Sequence, residues 1–181
     1  MQLPIQRYNV DSKNTFYWGV GIGLGMLAIA GVFVYIHQKT KAQTRQQKPI
    51  DLSVFDSPDS PGSGKCMDKE FIQMLRELEQ KTRLPIFRWI NSGARTHYWN
   101  RKVGGVANSA HKIPKCKAAD IKAPTRAIRN RIVQIAKEIG FKRIGIGKTF
   151  VHLDNDYSKP QYVAWGYPKG ASPPFNPFAT A

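Results

Sequence analysis

The sequence predicts an α+β fold, in which a small antiparallel sheet has flanking helices and is preceded by a single N-terminal transmembrane helix. Three observations lead to this prediction. A long uncharged stretch lies near the start of the chain, two later segments have apolar residues at helical spacing, and short strand-like segments lie between and after them. Helices that are segregated from a small sheet are typical of the α+β class.

Composition divides the chain into four parts. A short flank, 1–14, precedes the predicted transmembrane helix over 15–37. Residues 38–65 are polar and then rich in Pro, Ser, Gly and Asp, which predicts a flexible polar linker. The remainder, 66–181, has the length of one globular domain.

Charge is the second prominent feature of the chain. The 181 residues include 28 Lys and Arg against 12 Asp and Glu, which gives a formal net charge of +16. An apolar fraction of 41% excludes a fully disordered chain, and two cysteines exclude a disulfide-scaffolded miniprotein. The excess charge predicts an anionic partner, which is wall polymer, acidic lipid or nucleic acid.

The predicted membrane helix rests on residues 14–36, which include no Lys, Arg, Asp or Glu. A membrane-spanning helix needs about 20 predominantly apolar residues. Tyr17, Trp18 and Tyr35 occupy the positions of an interfacial aromatic belt. The alternative is a signal peptide cleaved near 28–30, but the apolar run continues beyond that site, which favours a retained anchor.

Two further features of this stretch concern its partners and its orientation. Gly21 and Gly25 form a G-x-x-x-G pair, which lets two membrane helices approach closely and predicts a helix–helix oligomer. More Lys and Arg follow the stretch than precede it, so the positive-inside rule favours a cytoplasmic C-terminal part.

The elements of the domain follow from apolar spacing and end signals. The spacing predicts one helix over 68–81, capped by Asp68, and a second from Pro124 or Thr125 to Ile139, ended by Gly140. The strand predictions are 83–90 as a turn into a strand, then 143–153, then 161–165.

The chemistry of the domain concentrates on a few side chains. His111, Asp120 and His152 are two imidazoles and a carboxylate, a ligand set that binds catalytic zinc and keeps one position open for water. Zinc bound in this way activates water and polarises a carbonyl. Spacing alone also fits the ordinary alternative, in which such residues are surface or hydrogen-bonded groups.

Several linked motifs give this ligand set a context. Together they resemble the signature of the zinc D-Ala-D-Ala carboxypeptidases and related peptidoglycan peptidases, the M15 family, which is grouped with lysostaphin-type peptidases and the hedgehog signalling domain. The resemblance extends over about residues 68–165. The motifs are 92–96 (Ser-Gly-Ala-Arg-Thr), 100–106 (Asn-Arg-Lys-Val-Gly-Gly-Val), 108–111 (Asn-Ser-Ala-His), 118–121 (Ala-Ala-Asp-Ile), 145–147 (Gly-Ile-Gly) and 150–154 (Phe-Val-His-Leu-Asp).

The resemblance implies roles for five residues. His111, Asp120 and His152 match the family's zinc ligands. Arg95 matches the arginine that holds substrate, and a guanidinium is suited to a bidentate pair with a peptide carboxylate. Ser109 precedes the first ligand as in the family, where its hydroxyl supports the loop or a substrate group.

The general base is less well defined, because the chain departs from the family pattern. The acid often found three residues before the last histidine is Thr149 here. Asp154 is the best candidate for the catalytic base, since it shares a strand face with His152, and its alternative role is to orient a ligand. Asp156 and His97 are weaker candidates.

The segment between the first two ligands also departs from the family. Eight residues separate His111 from Asp120, where the family usually has six, and Cys116 stands where the family has a glycine. Cys116 has three possible roles: an extra zinc ligand, a disulfide partner for Cys66, or a small buried residue.

These features predict a membrane-anchored zinc metallopeptidase that cleaves peptide bonds of bacterial peptidoglycan, of the D,D-carboxypeptidase or endopeptidase type. A short chain with one anchor also suits a phage virion-associated lytic enzyme. The alternative is a non-catalytic membrane-anchored module with a degenerate zinc site, which binds wall polymer or virion proteins.

The expected partners are peptidoglycan peptides and a lipid membrane, contacted through 15–37. The expected location is the bacterial inner membrane or the membrane of a lipid-containing virion, with a single pass. No stacking-aromatic motif or recognition helix predicts specific nucleic-acid binding. Residues 145–149 resemble the end of a P-loop, but Lys142 stands where its first glycine is required, which argues against an NTPase.

Overall fold

The structure is a computed structural model that describes residues 49–179. The predicted flank 1–14, the predicted transmembrane helix over 15–37 and its Gly21 and Gly25 lie outside this part of the chain. Within 49–179, no helix is both long enough and apolar enough to cross a membrane. The folded unit described below begins at Asp51.

The described residues form three α-helices, five strands and three short 3-10 helices. The α-helices are α1 (Lys69–Thr82), α2 (His97–Lys102) and α3 (Arg126–Ile139). The strands are β1 (Ile90–Ser92), β2 (Ala118–Lys122), β3 (Arg143–Ile146), β4 (Phe150–Asp154) and β5 (Val163–Gly166). The 3-10 helices are Leu52–Phe55, Ser63–Cys66 and Ile86–Trp89.

The two longer helices confirm the predictions from spacing. Asp68 caps α1 by accepting a hydrogen bond from the backbone N–H of Phe71 at 2.9 Å. Thr125 caps α3, and Gly140 ends it in the left-handed conformation at φ 111°. The buried faces of the two helices meet, and Phe71 packs edge-on against Phe141 with ring centroids 5.9 Å apart.

The sheet has the strand order β1-β2-β4-β3-β5. Its pairs are antiparallel except the last, because β3 and β5 are parallel. The predicted purely antiparallel sheet is therefore wrong, and the sheet is mixed. The reason lies in the chain path after β4: residues 155–162 pass the end of β3 and place β5 beyond it. A strand that starts where β4 ends runs in the same direction as β3.

The other elements agree only partly with the strand predictions. The single strand predicted over 143–153 is a hairpin, in which the N–H of Gly147 donates to the carbonyl of Phe150 at 3.0 Å. The segment predicted over 83–90 has a 3-10 helix in its second half, and this helix leads into β1. The short elements β2 and α2 had no prediction.

The second half of the predicted linker over 38–65 is folded, so the domain begins at 51 rather than at 66. Phe55 is fully buried and packs edge-on against Phe87 with centroids 6.1 Å apart. The Asp56 carboxylate accepts backbone hydrogen bonds at 2.7 and 2.6 Å and closes the Pro- and Gly-rich turn. These contacts fix a segment whose composition is typical of flexible linkers.

Of the three roles open for Cys116, the structure shows the disulfide. Cys66 and Cys116 are bonded, with their Cα atoms 5.8 Å apart. Cys116 has φ 47°, in the left-handed region that favours glycine, which explains why a glycine suits this position in the family. The disulfide therefore joins the start of the domain to the loop between His111 and Asp120.

Candidate metal centre

The sheet brings Asp120 and His152 side by side. The two residues are directly paired across the antiparallel strands β2 and β4. Directly paired residues project from the same face of a sheet, so the carboxylate and the imidazole meet. Oδ1 of Asp120 lies 2.8 Å from Nδ1 of His152.

His111 reaches the same point from the loop that precedes β2. Its side chain is buried, and its Nδ1 lies 2.6 Å from the carbonyl oxygen of Gly93. Gly93 is required at this position, because a Cβ there would lie 2.6 Å from Cβ of Phe55. The close packing of the 51–66 segment thus fixes the carbonyl that orients His111.

The three predicted ligands converge in the structure. Nε2 of His111 lies 3.1 Å from Nδ1 of His152 and 3.3 Å from Oδ1 of Asp120. The ligand atoms of the three residues all lie within 4.8 Å of one another. Two histidine nitrogens and a carboxylate oxygen are a donor set that zinc prefers.

Hydrogen bonding around the cluster indicates that it suits a metal. The Gly93 carbonyl only accepts, so Nδ1 of His111 carries the proton and Nε2 does not. Oδ2 of Asp154 lies 3.1 Å from Nε2 of His152, and Oδ1 of Asp120 lies 2.8 Å from Nδ1 of the same ring. When the His152 proton is on Nε2, three acceptors face one another, an arrangement that a cation stabilises. The residues present fit the metal that their types predict.

Burial and mutual contacts shift the pKa values of the three cluster residues. Burial lowers the pKa of His111. Burial alone would raise the pKa of Asp120, but the two histidines beside it hold that pKa well below its usual range. For His152, burial is outweighed by hydrogen bonds to Asp120 and Asp154, which raise its pKa. Protons therefore compete with a metal for His152 as the pH falls.

Asp154 lies behind His152 and contacts the nitrogen that points away from the cluster. Its Oδ1 accepts hydrogen bonds from Nε of Arg143 at 2.8 Å and from the backbone N–H of Asp156 at 3.1 Å. Its Oδ2 faces His152, so both oxygens have partners, and the residue is buried. These contacts favour the alternative role predicted for Asp154, the orientation of a ligand.

Arg95 contacts the opposite side of the cluster. Its Nη2 donates to Oδ2 of Asp120, and its Nε donates to Oγ of Ser92 at 2.8 Å. The guanidinium edge suited to a bidentate pair is therefore taken up by Asp120 and Ser92. Among the partners within 49–179, none contacts Nη1 of Arg95, and the residue lines the cleft described below.

The remaining predicted site residues have different surroundings. Oγ of Ser109 accepts from the backbone N–H of His111 at 3.3 Å, so this hydroxyl supports the loop that holds the ligand. His97 is exposed at the start of α2 and does not line the cleft. Asp156 does not line the cleft either. Its carboxylate pairs with Lys115 at 2.8 Å and with Lys159 at 3.3 Å.

The cluster lies in a cleft of about 610 Å³. One wall is aromatic and consists of Phe150, Trp165 and Tyr167. The Trp165 ring packs 5.3 Å from the His152 ring. Gly145, paired with His152 across the hairpin, permits this contact, because a Cβ there would lie 2.8 Å from the Trp165 ring.

Sequence reasoning missed the residues that support the cluster. Arg143 holds Asp154 and also lies over the Trp165 ring, 5.3 Å from its centroid. Arg143 and Asp154 are directly paired in the β3–β4 hairpin, so a prediction of that hairpin would have found the contact. The Gly93 carbonyl has no side-chain signal in the sequence.

The fold and the site define a small α+β domain with a His-Asp-His metal centre in an aromatic-walled cleft. A protein-family model described as Peptidase M15 matches residues 39–154, well over half of the chain. The chain therefore belongs to the M15 peptidases, which confirms the resemblance in the motifs. Membership implies peptidase activity that depends on a metal. No curated protein and no solved structure matches the chain.

Proposed function

We propose that the protein is a zinc peptidase that hydrolyses peptide bonds of bacterial peptidoglycan, as a D,D-carboxypeptidase or an endopeptidase. One observation carries the proposal: three ligand atoms, from His111, Asp120 and His152, converge in an open cleft. Family membership supports the reaction class. The cleft admits a peptide, and its aromatic wall offers apolar contact to small side chains.

In this proposal, His111, His152 and Asp120 would hold the zinc through the atoms that converge in the cleft. Zinc supplies Lewis acidity, which activates water and polarises the amide carbonyl. The protein fixes both imidazoles through partners on their far nitrogens, the Gly93 carbonyl and the Asp154 carboxylate. Such outer partners set the tautomer and the orientation of metal-binding histidines.

We propose that Asp154 is a positioning residue. Arg143 holds its carboxylate, and the carboxylate holds the Nε2 proton of His152. Nδ1 of His152 is then left free to bind the metal. Arg95 neutralises Asp120 and lines the cleft, and its guanidinium would donate one further hydrogen bond to a substrate oxygen.

A second candidate function is supported by one observation. Within residues 49–179, the carboxylates that line the cleft are Asp120 and Asp154, and both are engaged with the cluster. The cleft so described has no third carboxylate to serve as a general base. A module that binds zinc and wall peptides without efficient hydrolysis would have this composition.

We propose further that the protein is a single-pass membrane protein anchored through 15–37, in a bacterial inner membrane or in a lipid-containing virion, and that Gly21 and Gly25 pair two anchors. The Cys66–Cys116 disulfide supports a location of the domain on an oxidising side of the membrane. The positive-inside rule predicts the opposite, a cytoplasmic location of the C-terminal part. Protease accessibility in intact cells or particles, compared with lysed ones, tests the orientation.

Digestion of purified sacculi tests the peptidase proposal. The full chain, loaded with zinc, should release soluble fragments that carry new peptide termini, and the His152→Ala chain should release none. Zinc binding by the wild-type chain without fragment release would support the non-catalytic module instead. Fragment release by His152→Ala would contradict the assignment of the site.

A further inference from the structure

Four cationic side chains line the cleft, and the structure shows how the charge of each is balanced. They are Arg95, Arg143, Lys159 and Lys169. Arg95 pairs with Asp120, and Arg143 pairs with Asp154 at 2.8 Å. Each of these carboxylates is also held by the metal cluster.

Lys159 is likewise neutralised, since its Nζ lies 3.3 Å from Oδ2 of Asp156. Lys169 is different. Within 49–179, no carboxylate lies within ion-pair distance of Lys169, and the residue is exposed. Lys169 is therefore the one cleft-lining cation in the described part of the chain whose charge has no protein partner there.

The backbone presents Lys169 from a closed turn. After β5, the N–H of Ala171 donates to the carbonyl of Pro168 at 3.0 Å, and Gly170 has φ 91°. A second bond, from the N–H of Gly166 to the carbonyl of Ala171 at 3.0 Å, ties the turn to the end of the strand. The turn thus holds a lysine at the rim of the aromatic wall.

We propose that Lys169 is a specificity-determining residue that binds the C-terminal carboxylate of the peptide substrate. The inference rests on the proposed peptidase function and deepens it. A compact ammonium with three donors is suited to a single carboxylate when no protein acid competes for it. Lys169 lies beyond the family match, which ends at 154, so the contact is not part of the matched region.

A pair of peptides tests the inference. The two peptides have the same sequence, and one ends in a free carboxylate while the other ends in a carboxamide. The zinc-loaded wild-type chain should cleave the free acid with a kcat/KM about two- to fivefold higher, the range expected for an ion pair at an exposed site. In Lys169→Met the ratio should fall to about one.

Two variants serve as controls. Lys137→Met removes an exposed charge on α3 outside the cleft and should keep the wild-type ratio. Lys169→Arg should retain most of the preference for the acid. An unchanged ratio in Lys169→Met would overturn the inference. A third peptide has a free C-terminus but is amidated on a side-chain carboxylate. If Lys169→Met abolished the preference for the free acid over this third peptide and kept the preference over the C-terminal amide, the assignment to the C-terminus would be overturned.

A binding measurement separates this inference from the peptidase proposal. If the wild-type chain cleaves none of the peptides, the peptidase proposal fails, and calorimetric titration of the zinc-loaded chain with the acid and the amide still tests Lys169. Tighter binding of the acid that is lost in Lys169→Met would support the inference. Equal binding of the two peptides by the wild-type chain would overturn it.

Discussion

Nε2 of His111 lies 3.1 Å from Nδ1 of His152, and the outer nitrogens of the two rings face the Gly93 carbonyl and the Asp154 carboxylate. When the outer nitrogens carry the protons, the two inner nitrogens are acceptors that repel each other unless a cation lies between or beside them. Asp120 adds a negative oxygen to the same point. A metal bound here takes the place of the proton that His152 otherwise shares with Asp120, so the arrangement suits a metal centre whose affinity falls at low pH.

Removal of Asp154 should weaken zinc binding without unfolding the chain. The carboxylate fixes the Nε2 proton of His152, and loss of such partners typically lowers metal affinity about 10- to 100-fold. Asp154→Ala should show this loss, and Asp154→Asn, which retains an acceptor oxygen, should lose less. Competition with a chelating dye measures the affinity.

The matched control for this experiment is Glu138→Gln on the exposed face of α3, which should keep the wild-type affinity. Wild-type zinc affinity in Asp154→Ala would show that His152 is oriented by other contacts. Loss of affinity together with loss of the folded circular dichroism spectrum would indicate a structural role for Asp154.

The disulfide should contribute substantially to stability. Its partners are 50 residues apart in the chain. A loop of this size corresponds to about 4 kcal/mol of chain entropy in the unfolded state. The double variant Cys66→Ser, Cys116→Ser should therefore unfold at a lower urea concentration than the oxidised wild type. Addition of dithiothreitol should shift the wild type to a similar midpoint and leave the variant unchanged.

An equal urea midpoint for the oxidised wild type and the double variant would contradict this prediction. Zinc affinity of the double variant provides a second readout, because the disulfide ends in the loop between His111 and Asp120. We expect the affinity to fall together with stability, because the loop between the two ligands loses its covalent link to residue 66. The hydrogen bond from the backbone N–H of Asp68 to the carbonyl of residue 116, 3.0 Å long, should limit this fall.

The helices and the ligands were predictable because their signals are local. Apolar residues at helical spacing and the caps Asp68 and Thr125 define α1 and α3 within short windows. The predicted ligands are recognised from linked motifs. Strand β2 escaped prediction because it has only five residues, and these are two alanines, two charged residues and one β-branched residue, Ile121, so its strand propensity is weak.

The misjudged linker and the missed supporting residues depend on distant contacts. Phe55 and Asp56 lie in a segment with a linker composition, and only their packing and turn contacts show that it is folded. Arg143 reaches Asp154 through strand register, and Gly93 orients His111 through a carbonyl. Neither contact is encoded in local spacing.

Stability at acidic pH should depend on Asp156. Burial alone would raise the pKa of this carboxyl, but Lys115, Ser158 and Lys159 lower it strongly. An unfolded Asp has a pKa of about 3.9, so the ionised group stabilises the fold above that pH, and its contribution is lost as the pH falls below it toward the folded pKa. Asp156→Asn lacks this contribution at every pH.

The measurement is the melting temperature from pH 7 to pH 2.5. At pH 7, Asp156→Asn should melt roughly 4 °C below the wild type, and the gap should narrow as the pH falls below about 4. The control Glu77→Gln removes an exposed carboxylate paired with Lys81 and should change the profile little. A gap that stays constant with pH would contradict the assignment of the effect to ionisation.

Zinc content is the most direct test of the metal centre. The purified full chain, dialysed against trace zinc, should retain about one zinc per chain, and His111→Ala, Asp120→Ala and His152→Ala should each retain far less while staying folded. His97→Ala, at the exposed histidine outside the cleft, should retain as much as the wild type. Stoichiometric zinc in all three ligand variants, or none in the wild type, would contradict the metal centre.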